Sequence, residues 1–294
     1  MAFKQVTIIG TGLIGGSISL AMKKRHLAGR VVGCDRPAVL ERARDCGAID
    51  DVIINPGDAV RGSGLVVLAT PVMPILDLMD RLGPALGSSV LVTDVGSTKS
   101  EIVKRATKSF GRNAGQRFLA GHPMAGKENA GVEFADADLF QGAAWLFTPL
   151  PGQNVNAGNC GEFLHCAEKM GARVAVLNPA DHDRFCAWIS HLPQMVSTAL
   201  AAALVDEFGH DAPVLDIGGR ALREMTRISR SPYSMWRDVA ITNRKNLADA
   251  LQKLEQRLAH IRENLDSKQL ADEFELAHQL RKGSREKQKR SDGS

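Results

Sequence analysis

No stretch of this 294-residue chain approaches the roughly 18–20 consecutive apolar residues that a membrane-crossing helix needs. Nor does a basic-then-apolar leader precede the first strand-like run, which lies within "MAFKQVTIIG". A cytoplasmic protein is therefore the expectation. Cysteine is sparse and unpatterned: Cys34, Cys46, Cys160, Cys166 and Cys186 form no C-x-x-C pair, and their number is odd. That argues against a disulfide framework and gives no zinc-site spacing, so the cysteines read as buried small hydrophobes and no metal is expected. A basic face for nucleic acid is missing too. The formal net charge is +4, and the terminal stretch carries all of it, with Arg281, Lys282, Arg285, Lys287, Lys289 and Arg290 set against Glu286 and Asp292. Residues 281–294, without aromatics and ending in "SDGS", read as a solvated, disordered basic tail.

What the chain does have is a β/α alternation. "QVTIIG" (5–10), "RVVGCD" (30–35), "GLVVLAT" (64–70) and "SVLVTDV" (89–95) are apolar on both faces, as buried parallel strands are. Helical patterns fall near 13–25, 37–46, 72–85 and 98–109, and two more strands at 145–150 and 172–177 flank a helix near 158–170. This spacing predicts an α/β Rossmann domain, a doubly wound and mostly parallel sheet, over residues 1–177. After Leu177 the period becomes helical: Phe185, Trp188, Ile189, Leu192, Met195, Val196 and Ala199 follow i, i+3, i+4 spacing, with a kink expected at Pro193. Further helices are predicted over 216–227, 231–246 and 247–280, the last with a heptad-like seam of Leu251, Leu254, Leu258, Ile261 and Leu265. Residues 178–280 thus read as an all-α domain. That seam and the alanine-rich stretch 199–204 are best explained by a homodimer interface; a purely intramolecular core is the alternative.

"GTGLIGG" (10–16) fits G-x-G-x-x-G with Gly10, Gly12 and Gly15, directly after a predicted strand and at the head of a predicted helix. Gly10 permits the tight turn, Gly12 lets backbone N–H groups approach a pyrophosphate at the helix N-terminus, and Gly15 lets helix and strand pack closely. Asp35 follows at the end of the second strand, where a carboxylate accepts hydrogen bonds from ribose hydroxyls and repels a 2′-phosphate. NAD is therefore favoured over NADP, although the neighbouring Arg36 suits a 2′-phosphate and keeps NADP open.

Ligands of doubly wound sheets bind beyond the C-terminal ends of the strands. "VTDVGSTKS" puts Asp94, Ser97 and Lys99 at one such end, and "FLAGHPMAGKENAG" puts His122 at the next, in what the flanking glycine and proline mark as a loop. Singly, each has a bland account: Ser97 caps a helix, and His122 is a satisfied loop histidine. Together, beside a nicotinamide site, they look like a hydroxyl and a base arranged for dehydrogenase chemistry.

The motifs "GTGLIGGSISLAMK", "ATPV", "TDVGSTK", "GHPMAGKENAGVEFADADLF", "HDRFCAWISHLPQ" and "MTRISRSPYSMWRDVAITN" stand in one order from residue 6 to about 245. In that order they resemble the prephenate/arogenate dehydrogenase family of tyrosine biosynthesis. The resemblance implies NAD-dependent oxidative decarboxylation of prephenate to 4-hydroxyphenylpyruvate by a homodimer. It implies His122 as the base for the ring hydroxyl, with Ser97 orienting His122 or that hydroxyl. It assigns substrate binding to His191 and to Arg227, whose guanidinium suits a carboxylate, and less firmly to Lys127 and Glu128. Lys127 is expected to favour the dianionic prephenate, and Glu128 to pair with Arg227 when the site is empty. Cofactor contacts extend to Leu13, Ile14, Thr70, Pro71 and Asp94.

Three other readings remain beside this one. Arogenate is the alternative substrate. A β-hydroxyacid-type dehydrogenase also joins a Rossmann domain to helices, but it relies on a lysine in the helical half, where only Lys245 precedes the last predicted helix. A regulator that binds the dinucleotide without turnover would not need Ser97, His122 and Arg227 together.

Overall fold

The computed structural model describes the chain apart from residues 128, 211–212, 214–215 and 292–294, and apart from the side chains of 281–291. It contains two compact units, one spanning Met1–Asn246 and a second beginning at Leu247.

The first unit opens with β1 (Phe3–Ile9), α1 (Leu13–Lys24), β2 (Ala28–Cys34), α2 (Pro37–Asp45), β3 (Asp51–Val52) and the single turn α3 (Pro56–Ala59). It continues with β4 (Leu65–Leu68), α4 (Val72–Leu82), β5 (Leu91–Asp94), α5 (Ser100–Phe110), the short α6 (Ala114–Arg117), β6 (Phe118–Pro123), β7 (Ala144–Thr148), α7 (Gly158–Lys169) and β8 (Arg173–Val176). The eight strands form one sheet in the order β3-β2-β1-β4-β5-β6-β7-β8. Every pairing is parallel except β6 with β7. The outward swing of strand order from β1 sets the C-terminal ends of β1, β4, β5 and β6 along one rim, where doubly wound sheets bind ligands.

The strands are apolar throughout because both faces are covered. Val6, Ile8, Leu65 and Val67 pack with Ile18 and Met22 of α1 and with Phe163 of α7. The alternate residues Ile9, Val66 and Leu68 pack on the other face with Ile75 and Met79 of α4 and Ile102 of α5. Each such side chain, removed from water, contributes about 1.5–3 kcal/mol before entropy is counted.

One expectation changes here. "GHPMAG" is not a loop at its histidine: Gly121, His122 and Pro123 belong to β6 and pair with Phe147, Leu146 and Trp145 of β7. The glycine serves a close approach, since a Cβ at Gly121 would meet Trp145 Nε1 at 3.0 Å and the Asp94 carbonyl oxygen at 3.1 Å. The proline needs no N–H at the strand's last residue.

Beyond β8 the chain is helical: α8 (Pro179–Cys186), a π-turn (Ala187–His191), α9 (Leu192–Phe208), α10 (Arg220–Thr226), a 3₁₀ turn (Arg227–Arg230) and α11 (Tyr233–Thr242). The distortion expected at Pro193 takes the form of that π-turn. Proline cannot donate to the carbonyl four residues back, and the wider turn absorbs the missing bond. The combined run Pro179–Phe208 is long and apolar enough to cross a bilayer by length and composition, contrary to the reading of the sequence alone. Its first half nevertheless carries the fully buried His182, Asp183 and His191.

Helix α12 (Arg244–Glu263) leads into the second unit, which continues with α13 (Lys268–Ser291). A single helix over 247–280 was expected. The interruption has a local cause: the Asn264 side chain donates to the His260 carbonyl at 2.8 Å, and Ser267 N–H closes a turn on the Asn264 carbonyl at 3.1 Å. Arg257 and Glu273 join the two helices at 2.6 Å. The backbone of α13 also runs through residues 281–291, where the sequence was read as a disordered tail.

Candidate active site

The turn between β1 and α1 is held open for a ligand. Gly10 has φ +96, and a Cβ there would lie 2.6 Å from the Ala69 carbonyl carbon and oxygen. A Cβ at Gly15 would meet the Gly10 carbonyl oxygen at 2.0 Å, so helix and turn pack here only with glycine. Gly12 has open space where its side chain would be, and as N-cap of α1 it brings no side-chain oxygen to the first turn. The N–H groups of that turn and the positive end of the helix dipole therefore face outward together, as a pyrophosphate requires. At the end of β2, Asp35 accepts hydrogen bonds from Thr11 N–H at 2.8 Å and Arg36 N–H at 2.7 Å. These contacts orient a carboxylate at the mouth of a hollow lined by Gly10, Asp35, Arg36, Thr70 and Arg81. The Arg36 side chain is 86% exposed, 3.9 Å from Asp35.

Adjoining this hollow is a cavity of about 320 Å³. Its walls come from Gly12–Ile14, from Ala69–Val72 after β4, and from Val95, Gly96 and Ser97 after β5. Lys127 and residues 129–131 close one side, and Ser231, Pro232 and Met235 another. Leu13, Ile14, Thr70 and Pro71 thus stand where cofactor contacts were expected, and Ser97 lies half-buried among them.

Asp94 does not. It is fully buried, salt-bridged to Lys99, and accepts Gly96 N–H at 2.8 Å and Gly121 N–H at 3.2 Å. Lys99, equally buried, also donates to the Gly121 carbonyl at 2.7 Å. Asp94 is therefore corrected from a cofactor contact to a bolt that fastens the loop after β5 to β6. Desolvation pushes Asp94 up and Lys99 down, while their mutual attraction and these hydrogen bonds oppose it.

His122 is 7% exposed on β6. Its Nδ1 lies 2.9 Å from Nε2 of His182, a partner the sequence did not suggest beside Ser97, which was expected to orient His122 or the substrate hydroxyl. Nδ1 of His182 lies 2.9 Å from Asp183 Oδ1. Asp183 in turn accepts the N–H groups of Lys99 at 2.7 Å and Ser100 at 2.9 Å, at the head of α5. Burial first, then the nearby His182, Lys99 and His191, hold His122 well below the ordinary imidazole range. The ring is neutral at physiological pH and so competent to accept a proton. Burial would raise Asp183, but hydrogen bonds from His182, Ser100 and Lys99 outweigh it and keep the carboxylate charged. His182 and Asp183 escaped the sequence reading, and Lys99, placed at the rim, was given no role. The only clue was "HD" at the start of a helical stripe, where a polar pair on an apolar face calls for a buried partner.

His191 ends the π-turn, fully buried, with Nδ1 3.2 Å from Asn243 Nδ2. Burial lowers it to about 4, against the opposing pull of Asp183 and the Ser97 backbone. Its Nε2 and the Trp236 indole nitrogen are buried without a hydrogen-bond partner among the described residues, and the two rings meet edge-on at 6.0 Å. Buried orphans of this kind are costly unless a ligand satisfies them. Arg227 opens the 3₁₀ turn and lines a hollow with Gly126, Lys127, Asn129 and Ser231. Gln194, buried at 3%, steadies that turn by donating to the Ile228 carbonyl at 2.9 Å, a role not foreseen in "ISHLPQ". Lys127 stands in both cavities but is already engaged by the Phe134 carbonyl at 3.0 Å and Asp136 at 3.2 Å. Glu128 lies outside the described residues.

Two family models match the chain, the nucleotide-binding domain of prephenate dehydrogenase over residues 18–176 and its dimerization domain over 178–282. A prephenate dehydrogenase of Bacillus subtilis is 32% identical over 95% of this chain and 75% of its own length. A cyclohexadienyl dehydrogenase of Zymomonas mobilis is 30% identical over 85% of this chain and 84% of its own length. Among solved structures, the prephenate dehydrogenase of A. aeolicus in complex with hydroxyphenyl propionate and NAD+ superposes with a TM-score of 0.82 at 28% identity, covering 97% of this chain and 98% of the other. The Synechocystis arogenate dehydrogenase superposes at 0.73 with 28% identity, covering 96% and 99%.

Proposed function

Because this chain belongs to the prephenate dehydrogenase family, we propose that it oxidises and decarboxylates prephenate to 4-hydroxyphenylpyruvate with NAD. The observation that carries this reading is a buried, neutral imidazole on the same sheet rim as a glycine cradle open to a dinucleotide. Bound NAD supplies the hydride acceptor. The chain's own residues do the rest. The first turn of α1 receives the pyrophosphate and Asp35 the ribose hydroxyls. His122 takes the ring hydroxyl proton as hydride leaves the carbon that bears it, and loss of the ring carboxylate as CO2 makes the ring aromatic. Arg227 holds a substrate carboxylate, while His191 and the half-buried Ser97 hydroxyl position the ring. Lys127 lines the same hollow as Arg227; Glu128 keeps the substrate-binding role that the family resemblance implies. The domains of this reading are 1–177 for the nucleotide and 178–280 for substrate and dimer contacts. The exposed Phe185, Trp188, Ile189, Val205 and Leu258 are apolar surface that a homodimer in the cytoplasm would cover.

Arogenate is the second reading, and one contact favours it. Asp136 already pairs with Lys127, so the mouth offers less positive charge to a dianion than the sequence alone suggested. Absorbance at 340 nm with NAD and each substrate decides. Turnover of prephenate is expected; turnover of arogenate alone would give the second reading, and none with either would sink both.

A further inference from the structure

Two buried groups, His182 and Asp183, have no part in the reaction as derived so far, yet their contacts fix the state of one that does. Asp183 receives N–H groups at both oxygens, from Lys99 at Oδ1 and Ser100 at Oδ2, and so stands as an acceptor. The 2.9 Å contact to its Oδ1 then requires the proton of neutral His182 to sit on Nδ1. That leaves His182 Nε2 with a lone pair, and the 2.9 Å contact beyond it requires His122 to donate through its own Nδ1–H. Of the four imidazole nitrogens, only His122 Nε2 is left with a lone pair that no neighbour in this chain of contacts uses. Cys186 Sγ, 3.5 Å from His182 Nε2 and 3.9 Å from His122 Nδ1, is a neutral neighbour, because burial pushes its thiol up to about 12.

We propose that Asp183 and His182 are positioning residues that hold His122 in the tautomer whose Nε2 is the base, and that they receive its proton. This rests on the reading of His122 as base. When Nε2 takes the substrate proton, an N–H bond forms there. The Nδ1–H bond of His122 breaks as that proton passes to His182 Nε2. The positive charge thus comes to rest on the imidazole that faces Asp183, away from the reacting ring. The groups around the pair agree with that direction. Lys99, beside both rings, opposes charge on each; His191 adds to the opposition at His122; Asp183 and the more distant Asp94 favour charge on His182.

The test has an arm that needs no turnover. In protein labelled with [15N]histidine, long-range 1H–15N spectra of the whole chain near neutral pH should show His122 and His182 both carrying their proton on Nδ1. On acidification His182 should take up a proton before His122. His122 protonated on Nε2, or titrating first, would overturn the proposal whatever the enzyme's substrate proves to be. The second arm compares His182→Gln with His182→Leu at equal melting temperature. The amide oxygen of glutamine can accept from His122 Nδ1–H and leucine cannot. Neither side chain can take up the proton, so kcat should fall in both variants: by about tenfold with glutamine, which still holds the tautomer, and by ~10² or more with leucine, with KM for NAD unchanged in both. Equal losses in the two variants would reduce His182 to packing.

Discussion

The glycine turn ahead of α1 and the imidazole cluster under β6 lie along one rim of the sheet, yet they are made in opposite ways. The turn is written within seven consecutive residues and works through backbone, with side chains absent where a ligand must come close. The cluster works through contacts between residues 60 to 84 positions apart in the chain, brought together only when α8 docks against α5 and β6. A backbone device tolerates change around it and fails when volume is added. A buried polar network fails when any member is removed, because the remaining members are left desolvated and unpaired.

Four experiments strain this contrast, the largest effect first. His122→Asn should lower kcat by ~10²–10⁴ while NAD affinity, measured by fluorescence titration, stays close to wild type. A comparable loss of NAD affinity would merge the two devices into one. Lys99→Met leaves the Asp94 carboxylate buried without its cation, and should cost about 3–5 kcal/mol in urea unfolding. Pairing it with Asp94→Leu should return much of that, since no charge then remains buried; equal stability of the single and double variants would show that the ion pair is not the fastening. Gly15→Ala adds one methyl against the Gly10 carbonyl. It should cost about 1–3 kcal/mol, with NAD affinity falling more than kcat. Asp35→Ser removes the ribose acceptor and should weaken NAD by about tenfold, so that NADP, measured alongside, becomes the closer competitor.

A smaller effect separates the two by pH. His191 is held at about 4 when folded, below its ordinary value of 6.5. As pH falls below 6.5 the unfolded chain takes up that proton and the folded chain does not, so this contribution to stability is complete above 6.5 and is lost between there and about 4. From pH 7 to pH 6 it amounts to under about 1 kcal/mol, readable as a melting-temperature slope that His191→Asn should flatten. On the kinetic side the depressed His122 should keep the acid limb of kcat/KM below pH 6.5; a limb at or above that value would mean the base is another group.

How much could be read from the sequence follows the same line. The strand–glycine–helix–acid order needs only neighbours, and the sheet, the turn and Asp35 are where it put them. Period two and period 3.6 also located most helices and strands within a few residues. The misreadings share a cause. His122 looked like a loop residue because glycine and proline flank it, whereas tertiary pairing with β7 holds it in a strand. Asp94 looked like a ligand group because it ends a strand at the binding rim, whereas Lys99, five residues on, folds back to claim it. The roles of His182, Asp183 and Gln194 depend on which buried atoms face them, which no local pattern states.

Strand pairing has a consequence for how this protein would turn over. A side chain on a hydrogen-bonded strand, bolted below by a carboxylate and braced by a second ring, has little freedom to swing toward its target. On the proposed mechanism the base is an anvil, and reach would come from the other side, from the short turn that carries Arg227 and the strap that carries Lys127, the residues proposed to seat the substrate.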